Sequence, residues 1–128
     1  MGFEQYHEPA SELSAETRTF ARMIASLTEE AEAIGWYQQR ISLEPDADAR
    51  AIMENAQQEE FKHFGMDLEF LIRHNPKWQI ALERILFKPG DIVEHGEEAE
   101  EGAVEGAAER GEPLAGSTSL GIGTLRGR

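Results

Sequence analysis

The chain has no cysteine among its 128 residues. Disulfide bonds, thiolate metal ligands and cysteine nucleophiles are therefore excluded. Basic side chains are also few, because 12 lysines and arginines stand against 25 acidic residues and give a formal net charge of −13. Since neutralising the phosphates of a nucleic acid requires clustered positive charge, we expect no nucleic-acid partner.

Long apolar runs are missing as well. No stretch approaches the roughly 18 consecutive apolar residues of a membrane-spanning helix. The first residues, MGFEQYHEPASE, lack the basic and apolar regions of a signal peptide. We therefore expect a soluble, intracellular protein without a membrane partner, and a chain of this length has room for one domain.

The acidic side chains are concentrated in residues 89–119, which hold nine acids and one base, Arg110. This segment is rich in glycine, glutamate and alanine and has no aromatic residue. Such a composition buries too little apolar surface to offset the entropy of ordering, so we predict a disordered acidic linker. A short helix around Glu97–Glu109 is the alternative. The folded part is then residues 1–88, a size at which domains often gain stability by forming oligomers.

The spacing of apolar residues predicts an all-α fold. Near the N-terminus they recur at intervals of three and four, as on one face of a helix: Phe20, Ile24, Leu27, Ala31 and Ile34. Proline separates the helices, because it cannot continue a helix but can begin one. The predicted helices run from Ser11 to about Ser42, from Pro45 to about His74, and, after Asn75-Pro76, over a short segment closed by Lys88-Pro89-Gly90.

Two helices of about 30 residues joined by a tight loop form an antiparallel hairpin. A hairpin buries only one face of each helix, and two hairpins packed together make a four-helix bundle. We therefore predict that residues 1–88 form two long antiparallel helices plus a short third helix, and that this domain dimerises into a four-helix bundle.

Acidic side chains interrupt the faces that these helices would bury. Glu30 falls within an otherwise apolar series of helical spacing: Met23, Leu27, Glu30, Ile34 and Tyr37. On the second helix, Glu60 and His63 lie one turn apart in a similar series: Ala56, Glu60, His63, Asp67 and Phe70. Because a buried carboxylate without a partner is energetically expensive, we expect a metal ion or a hydrogen-bonded cation to compensate it.

One glutamate on one helix and Glu-x-x-His on its neighbour make half of the ligand set of the carboxylate di-iron bundles. Two chains related by a two-fold axis would complete it, with four glutamates and two histidines for two metal ions. Oxygen and imidazole ligands suit Fe(II), Mn(II) or Zn(II). The plainer interpretation is that Glu-x-x-His arises by chance on a solvated face and that Glu29, Glu30 and Glu32 are an ordinary charged surface.

The last nine residues differ from the acidic segment before them. Leu120, Ile122 and Leu125 form an apolar cluster separated by glycines, which let an extended backbone approach another surface closely. A short apolar motif at the end of a charged tether predicts a docking peptide. The alternative is a disordered terminus with three incidental aliphatic residues.

Two motifs resemble known families. The tail LGIGTLRG closely resembles the cargo-loading peptide that directs proteins into encapsulin nanocompartments. The segment EEAEAIGWY at residues 29–37, followed by EEFKH at residues 59–63, resembles the encapsulated ferritins. The resemblance covers nearly the whole chain, from the first helix to the tail, and it implies a ferritin-like bundle.

The resemblance also implies roles for individual residues. Glu30, Glu60 and His63 match the ferroxidase ligands, so that each chain gives half of a di-iron centre and a dimer holds two irons. Trp36 and Tyr37 match an aromatic pair beside the metals, and Tyr37 is the better candidate for a catalytic role.

The implied assembly extends beyond one chain. Glu29 and Glu32 match acidic residues that guide iron toward the centre. Members of the family form an open ring of five dimers that cannot enclose a mineral, and an encapsulin shell in the cytoplasm supplies the enclosure. Leu120, Ile122 and Leu125 would dock the chain on that shell.

We therefore predict a ferroxidase that oxidises Fe(II) to Fe(III), with oxygen as electron acceptor, and delivers iron for mineral storage inside an encapsulin nanocompartment. Glu60 is expected to bridge the two metals and Glu30 to be a terminal ligand. Two alternatives remain at this point: a non-catalytic helical cargo or scaffold protein, and a different metal function such as a rubrerythrin-like peroxidase or a zinc or manganese store.

Overall fold

The computed structural model describes residues 5–109, with side chains up to residue 102. A 3-10 turn at Ala10–Glu12 precedes four helices, and residues 5–109 contain no strand. The predicted all-α fold is confirmed. None of the described helices is long and apolar enough to cross a membrane. The helices are α1 (Ala15–Leu43), α2 (Ala47–His74), α3 (Pro76–Glu83) and α4 (Ile92–Glu109).

The two long helices begin at side chains that accept hydrogen bonds from the first helical turn. The Ser14 hydroxyl accepts from the backbone N–H of Thr17 at 3.1 Å, and the Asp46 carboxylate accepts from that of Ala49 at 2.9 Å. Such caps satisfy N–H groups that have no partner within the helix. Pro45 lies between the two helices, as the sequence predicts, so the connection is only three residues long.

α1 and α2 pack against each other as an antiparallel hairpin, which belongs to a compact unit ending at His74. Gln57 on α2 holds the pair in register, because its amide nitrogen donates to the Ile34 carbonyl and to the Gln38 side chain, each at 3.1 Å. Leu71 is completely buried and Ala25 is 8 % exposed. Large apolar side chains of the hairpin nevertheless stay exposed: Trp36, Leu43, Ile52, Phe61 and Met66.

A second compact unit begins at Asn75 and contains α3 and α4, which pack against each other. Asn75 caps α3 by accepting from the backbone N–H of Lys77 at 2.9 Å. Before α4 the chain turns through Gly90, whose φ of 101° is a conformation that residues with a side chain rarely adopt. Ala99 of α4 is 2 % exposed and marks the buried side of this helix.

The structure differs from the prediction for residues 89–119. Where we predicted a disordered linker, with a helix at Glu97–Glu109 as the alternative, α4 begins at Ile92 and continues to Glu109. Glutamate and alanine are strong helix formers, and Asp91 caps the helix by accepting from the backbone N–H of Glu94 at 2.9 Å. The remainder of the predicted linker and the predicted docking residues Leu120, Ile122 and Leu125 lie outside the described residues.

Candidate metal centre

Glu30, Glu60 and His63 lie together between the two helices of the hairpin. Each offers one ligand atom, and these three atoms lie within 4.8 Å of one another. The side chains of Glu60 and His63 are 25 % and 41 % exposed, so the cluster can be reached from solvent. The structure therefore brings together the three residues that the sequence pattern assigned to a metal site.

Helix geometry and packing together produce this cluster. Glu60 and His63 are one turn apart on α2, and the Glu60 Oε2 atom lies 3.7 Å from the His63 Nδ1 atom. One turn before Glu60, Gln57 bonds to the Ile34 carbonyl on α1. Because the helices are antiparallel, the next turn of α2 faces the preceding turn of α1, which carries Glu30.

Glu30 is in an unfavourable environment for a carboxylate. Its Oε2 atom is buried and accepts no hydrogen bond from an N–H group or a hydroxyl group of the described residues, so only a protonated carboxyl group can form a hydrogen bond there. Burial, followed by a hydrogen bond to Asp67 and the charges of Asp67, Glu60 and Glu29, raises the pKa of Glu30 from 4.5 to about 8. In the metal-free protein this carboxyl group therefore keeps a proton at neutral pH, and a cation that binds there must displace it.

Asp67 is a residue of this region to which the sequence analysis assigned no role. Its Oδ2 atom is buried without a hydrogen-bond partner, as is the Glu30 Oε2 atom. The sequence did contain a signal for Asp67, because this residue follows His63 by four positions in the same helical series. Periodicity placed it on the face of α2 that packs against α1, but only the packing shows that its carboxylate meets that of Glu30.

The other predicted site residues lie on α1 around Glu30. Glu29 is exposed and Glu32 is half-buried. Tyr37 is half-buried, two helical turns from Glu30, and the Arg40 guanidinium lies 5.3 Å from the centre of its ring. Trp36 is 47 % exposed. The roles of this aromatic pair beside a metal, and of the two acids in guiding iron, stay predictions.

The chemistry of the cluster fits a divalent transition metal. Two carboxylates and one imidazole are ligands that Fe(II), Mn(II) and Zn(II) accept. The buried Glu30 oxygen without a donor is a position at which a cation would replace a missing partner. Three side chains fill only part of a metal's coordination sphere, so one chain leaves positions open for substrate or for further ligands.

Comparisons with known proteins agree with this arrangement. A family model described as EncFtn-like matches residues 5–89. The chain is 44 % identical over 100 residues to a ferritin-like protein of Thermotoga maritima, an alignment that covers 78 % of this chain and 88 % of the relative. It is 41 % identical over 123 residues to an encapsulated ferritin-like protein of Rhodospirillum rubrum, over 94 % of this chain and 87 % of the relative.

A solved structure shares the fold. The crystal structure of a protein from Nitrosomonas europaea matches with a TM-score of 0.68 at 39 % sequence identity, covering 70 % of this chain and 98 % of that one. The resemblance to the encapsulated ferritins seen in the residues around Glu30 and His63 is thereby confirmed. The family match over most of the chain and the identity across nearly its full length show that this chain belongs to the EncFtn-like family, the encapsulated ferritins.

Proposed function

We propose that the protein is a ferroxidase, which oxidises Fe(II) to Fe(III) at a di-iron centre shared between two subunits. Membership of the encapsulated ferritin family supports an iron-handling, ferritin-like role. The observation that carries the finer proposal is the cluster of Glu30, Glu60 and His63, whose ligand atoms lie within 4.8 Å of one another on two packed helices.

The proposal requires a second chain. A di-iron bundle uses a glutamate from each of two helices and Glu-x-x-His from each of the other two, and one hairpin supplies half of that set. Pairing across a two-fold axis would give four glutamates and two histidines for two irons. The exposed apolar side chains of Trp36, Phe61 and Met66 provide surface that a second hairpin would cover. We further propose that the dimers assemble as a ring of five.

The chain's own residues bind and orient the iron substrate. Glu30, Glu60 and His63 would hold the iron: Glu60 would be shared by the two ions, Glu30 would be a terminal ligand, and His63 would offer the lone pair of a neutral imidazole. Glu30 must first release the proton that its raised pKa retains, so iron competes with protons for the site. Each Fe(II) would lose one electron, and the two electrons from a pair of irons, together with two protons, would reduce one O2 to H2O2. Tyr37 and Trp36 border the centre.

Iron reaches the site by electrostatic attraction and leaves it for storage. Glu29 is exposed beside Glu30, and Glu32 follows it on α1, so both add negative potential that draws Fe(II) to the cluster. The product Fe(III) is mineralised outside the protein, inside an encapsulin nanocompartment in the cytoplasm. The C-terminal peptide, through Leu120, Ile122 and Leu125, docks the protein on the encapsulin shell.

The first test is the rate of Fe(II) oxidation in air, followed by the absorbance of Fe(III). Glu30→Ala, Glu60→Ala and His63→Ala should each abolish rapid oxidation. Glu54→Ala removes an exposed carboxylate from the same helix as Glu60 and should leave the rate unchanged. Near-normal rates in all three ligand variants would refute the ferroxidase proposal.

Stoichiometry separates the proposal from its alternatives. Metal analysis followed by anaerobic Fe(II) titration should reach saturation at two irons per two chains. A scaffold protein would bind no iron, and a rubrerythrin-like peroxidase would oxidise Fe(II) rapidly with hydrogen peroxide but slowly with oxygen. Sedimentation over a range of concentrations checks the dimer, since a stable monomer would carry only half of the centre.

Shell docking has an independent test. Deleting residues 120–128 should leave Fe(II) oxidation intact and abolish co-purification with co-expressed encapsulin. Substituting Leu120, Ile122 and Leu125 with serine should have the same effect, while the rest of the chain is unchanged. Continued co-purification of both variants would place the docking signal elsewhere in the chain.

A further inference from the structure

The carboxyl groups of Glu30 and Asp67 face each other inside the hairpin. They lie within hydrogen-bonding distance, on α1 and α2 respectively. The Glu30 Oε2 and Asp67 Oδ2 atoms are both shielded from solvent, and neither has a hydrogen-bond partner. An ionised carboxylate only accepts hydrogen bonds, so two carboxyl groups in contact need a proton or another positive group between them.

No basic side chain of the described hairpin is bonded to either oxygen. Two nearby cations on α2 already pair with other acids: Lys62 bonds to Glu59, and Arg73 bonds to Glu69 at 2.7 Å. No side chain of the described hairpin supplies a positive partner for these oxygens, so the partner is either a proton shared between the two carboxyl groups or a cation that displaces this proton.

Asp67 lies on the same face of α2 as Glu60 and His63. It follows His63 by one turn and Glu60 by two turns, so these side chains form one row along α2. Glu30, on the opposing helix, belongs both to the cluster with Glu60 and His63 and to the contact with Asp67. Asp67 is not among the residues whose ligand atoms lie within 4.8 Å of one another, but it contacts Glu30, so the row brings a third carboxylate next to the cluster.

We propose that Asp67 is a metal ligand, which acts with Glu30 and extends the site of each chain from three ligating side chains to four. This inference rests on the proposed metal site at Glu30, Glu60 and His63. The cation is a divalent transition metal of the class that carboxylates and imidazole bind, and its charge compensates the two facing carboxylates.

Cobalt(II) binding to the metal-free protein tests this ligand without depending on catalysis. Air does not readily oxidise Co(II) in such sites, and its visible absorption bands change when a ligand is lost. Asp67→Ala and the isosteric Asp67→Asn should each weaken Co(II) binding by about tenfold or more and alter the bands. Glu69→Gln removes the same charge from an exposed site two residues away, so it should bind Co(II) within about twofold of wild type with an unchanged spectrum.

The controls separate this inference from the proposed function. His63→Ala should greatly weaken Co(II) binding. If it does while both Asp67 variants bind with wild-type affinity or give the wild-type spectrum, Asp67 is not a ligand and the three-residue site stands. If the wild-type protein binds no Co(II), the metal site itself is refuted and the role of Asp67 with it. Circular dichroism of each variant confirms that the helices are intact.

Discussion

Glu30 should make the metal-free protein less stable as the pH rises, and Glu30→Gln should remove that dependence. In the folded protein, burial and then Asp67 raise the pKa of Glu30 from 4.5 to about 8. Between these two values the folded state holds a proton that the unfolded state has released. The free energy of unfolding therefore falls as the pH increases through this interval, and it levels off once the folded state has also lost its proton.

The structure sets the size of the effect. A tenfold change in an acid dissociation constant equals about 1.4 kcal/mol, so a pKa raised from 4.5 to about 8 gives an upper bound of ~5 kcal/mol. Glu30 is half-buried rather than enclosed, and water near its exposed part reduces the penalty. We expect a loss of about 2–3 kcal/mol between about pH 5 and about pH 9.

Urea denaturation followed by far-ultraviolet circular dichroism measures this loss. The protein is kept metal-free with a chelator and at one fixed concentration, because oligomerisation changes apparent stability. The stability difference between Glu30→Gln and wild type should be near zero at about pH 5 and should reach about 2–3 kcal/mol at about pH 9. Glu54→Gln, which changes an exposed carboxylate on α2 that does not act on Glu30, should show no such trend. A difference that stays constant across this range would refute the reasoning about Glu30.

Two further predictions concern the packing of each unit. Leu71→Ala should lower the free energy of unfolding by about 2–5 kcal/mol because Leu71 is completely buried. Leu43→Ala, at a site that is 84 % exposed, should change it by less than about 0.5 kcal/mol, and equal losses in urea denaturation would contradict this assignment of the core. Hydrogen bonds to the Pro89 carbonyl and to Glu98 raise the pKa of His95 above its ordinary value of 6.5. The protonated ring therefore stabilises the start of α4 fully below pH 6.5, and this stabilisation is lost as the pH rises through the pKa of His95 in the folded protein. Amide-exchange protection factors of the first turn of α4 should therefore fall with increasing pH in wild type but not in His95→Ala, and the same fall in both would show that His95 is not the cause.

The hairpin and the grouping of Glu30, Glu60 and His63 were predictable because both depend on local rules. Apolar spacing and Pro45 predicted two long helices, and the structure ends α1 and begins α2 within two residues of that proline. Glu60 and His63 share a face in any helix, since they are one turn apart. A short connection makes the hairpin antiparallel, and Glu30 then had to lie on the side of α1 that faces them.

The features that the sequence analysis missed depend on contacts between helices or on helix ends. The burial of the Asp67 Oδ2 atom is decided by how closely Glu30 approaches from α1, which periodicity cannot show. For α4, composition indicated disorder, but the cap at Asp91 and the bond from the His95 Nε2–H to the Pro89 carbonyl at 2.8 Å favour helix. These are individual hydrogen bonds, and the amino-acid composition of a segment carries no information about them.

The division of the ligands between α1 and α2 has a consequence for the lifetime of the chain. A metal ion held by Glu30 on one helix and by His63 on the other would cross-link the chain across roughly 30 residues, much as a disulfide closes a loop. Opening the hairpin would then require release of the metal, so unfolding and proteolysis would slow when iron is abundant. This chain has no cysteine and so cannot form a disulfide bond, and bound iron would take the place of that cross-link. Scarcity of iron would then shorten the lifetime of the protein.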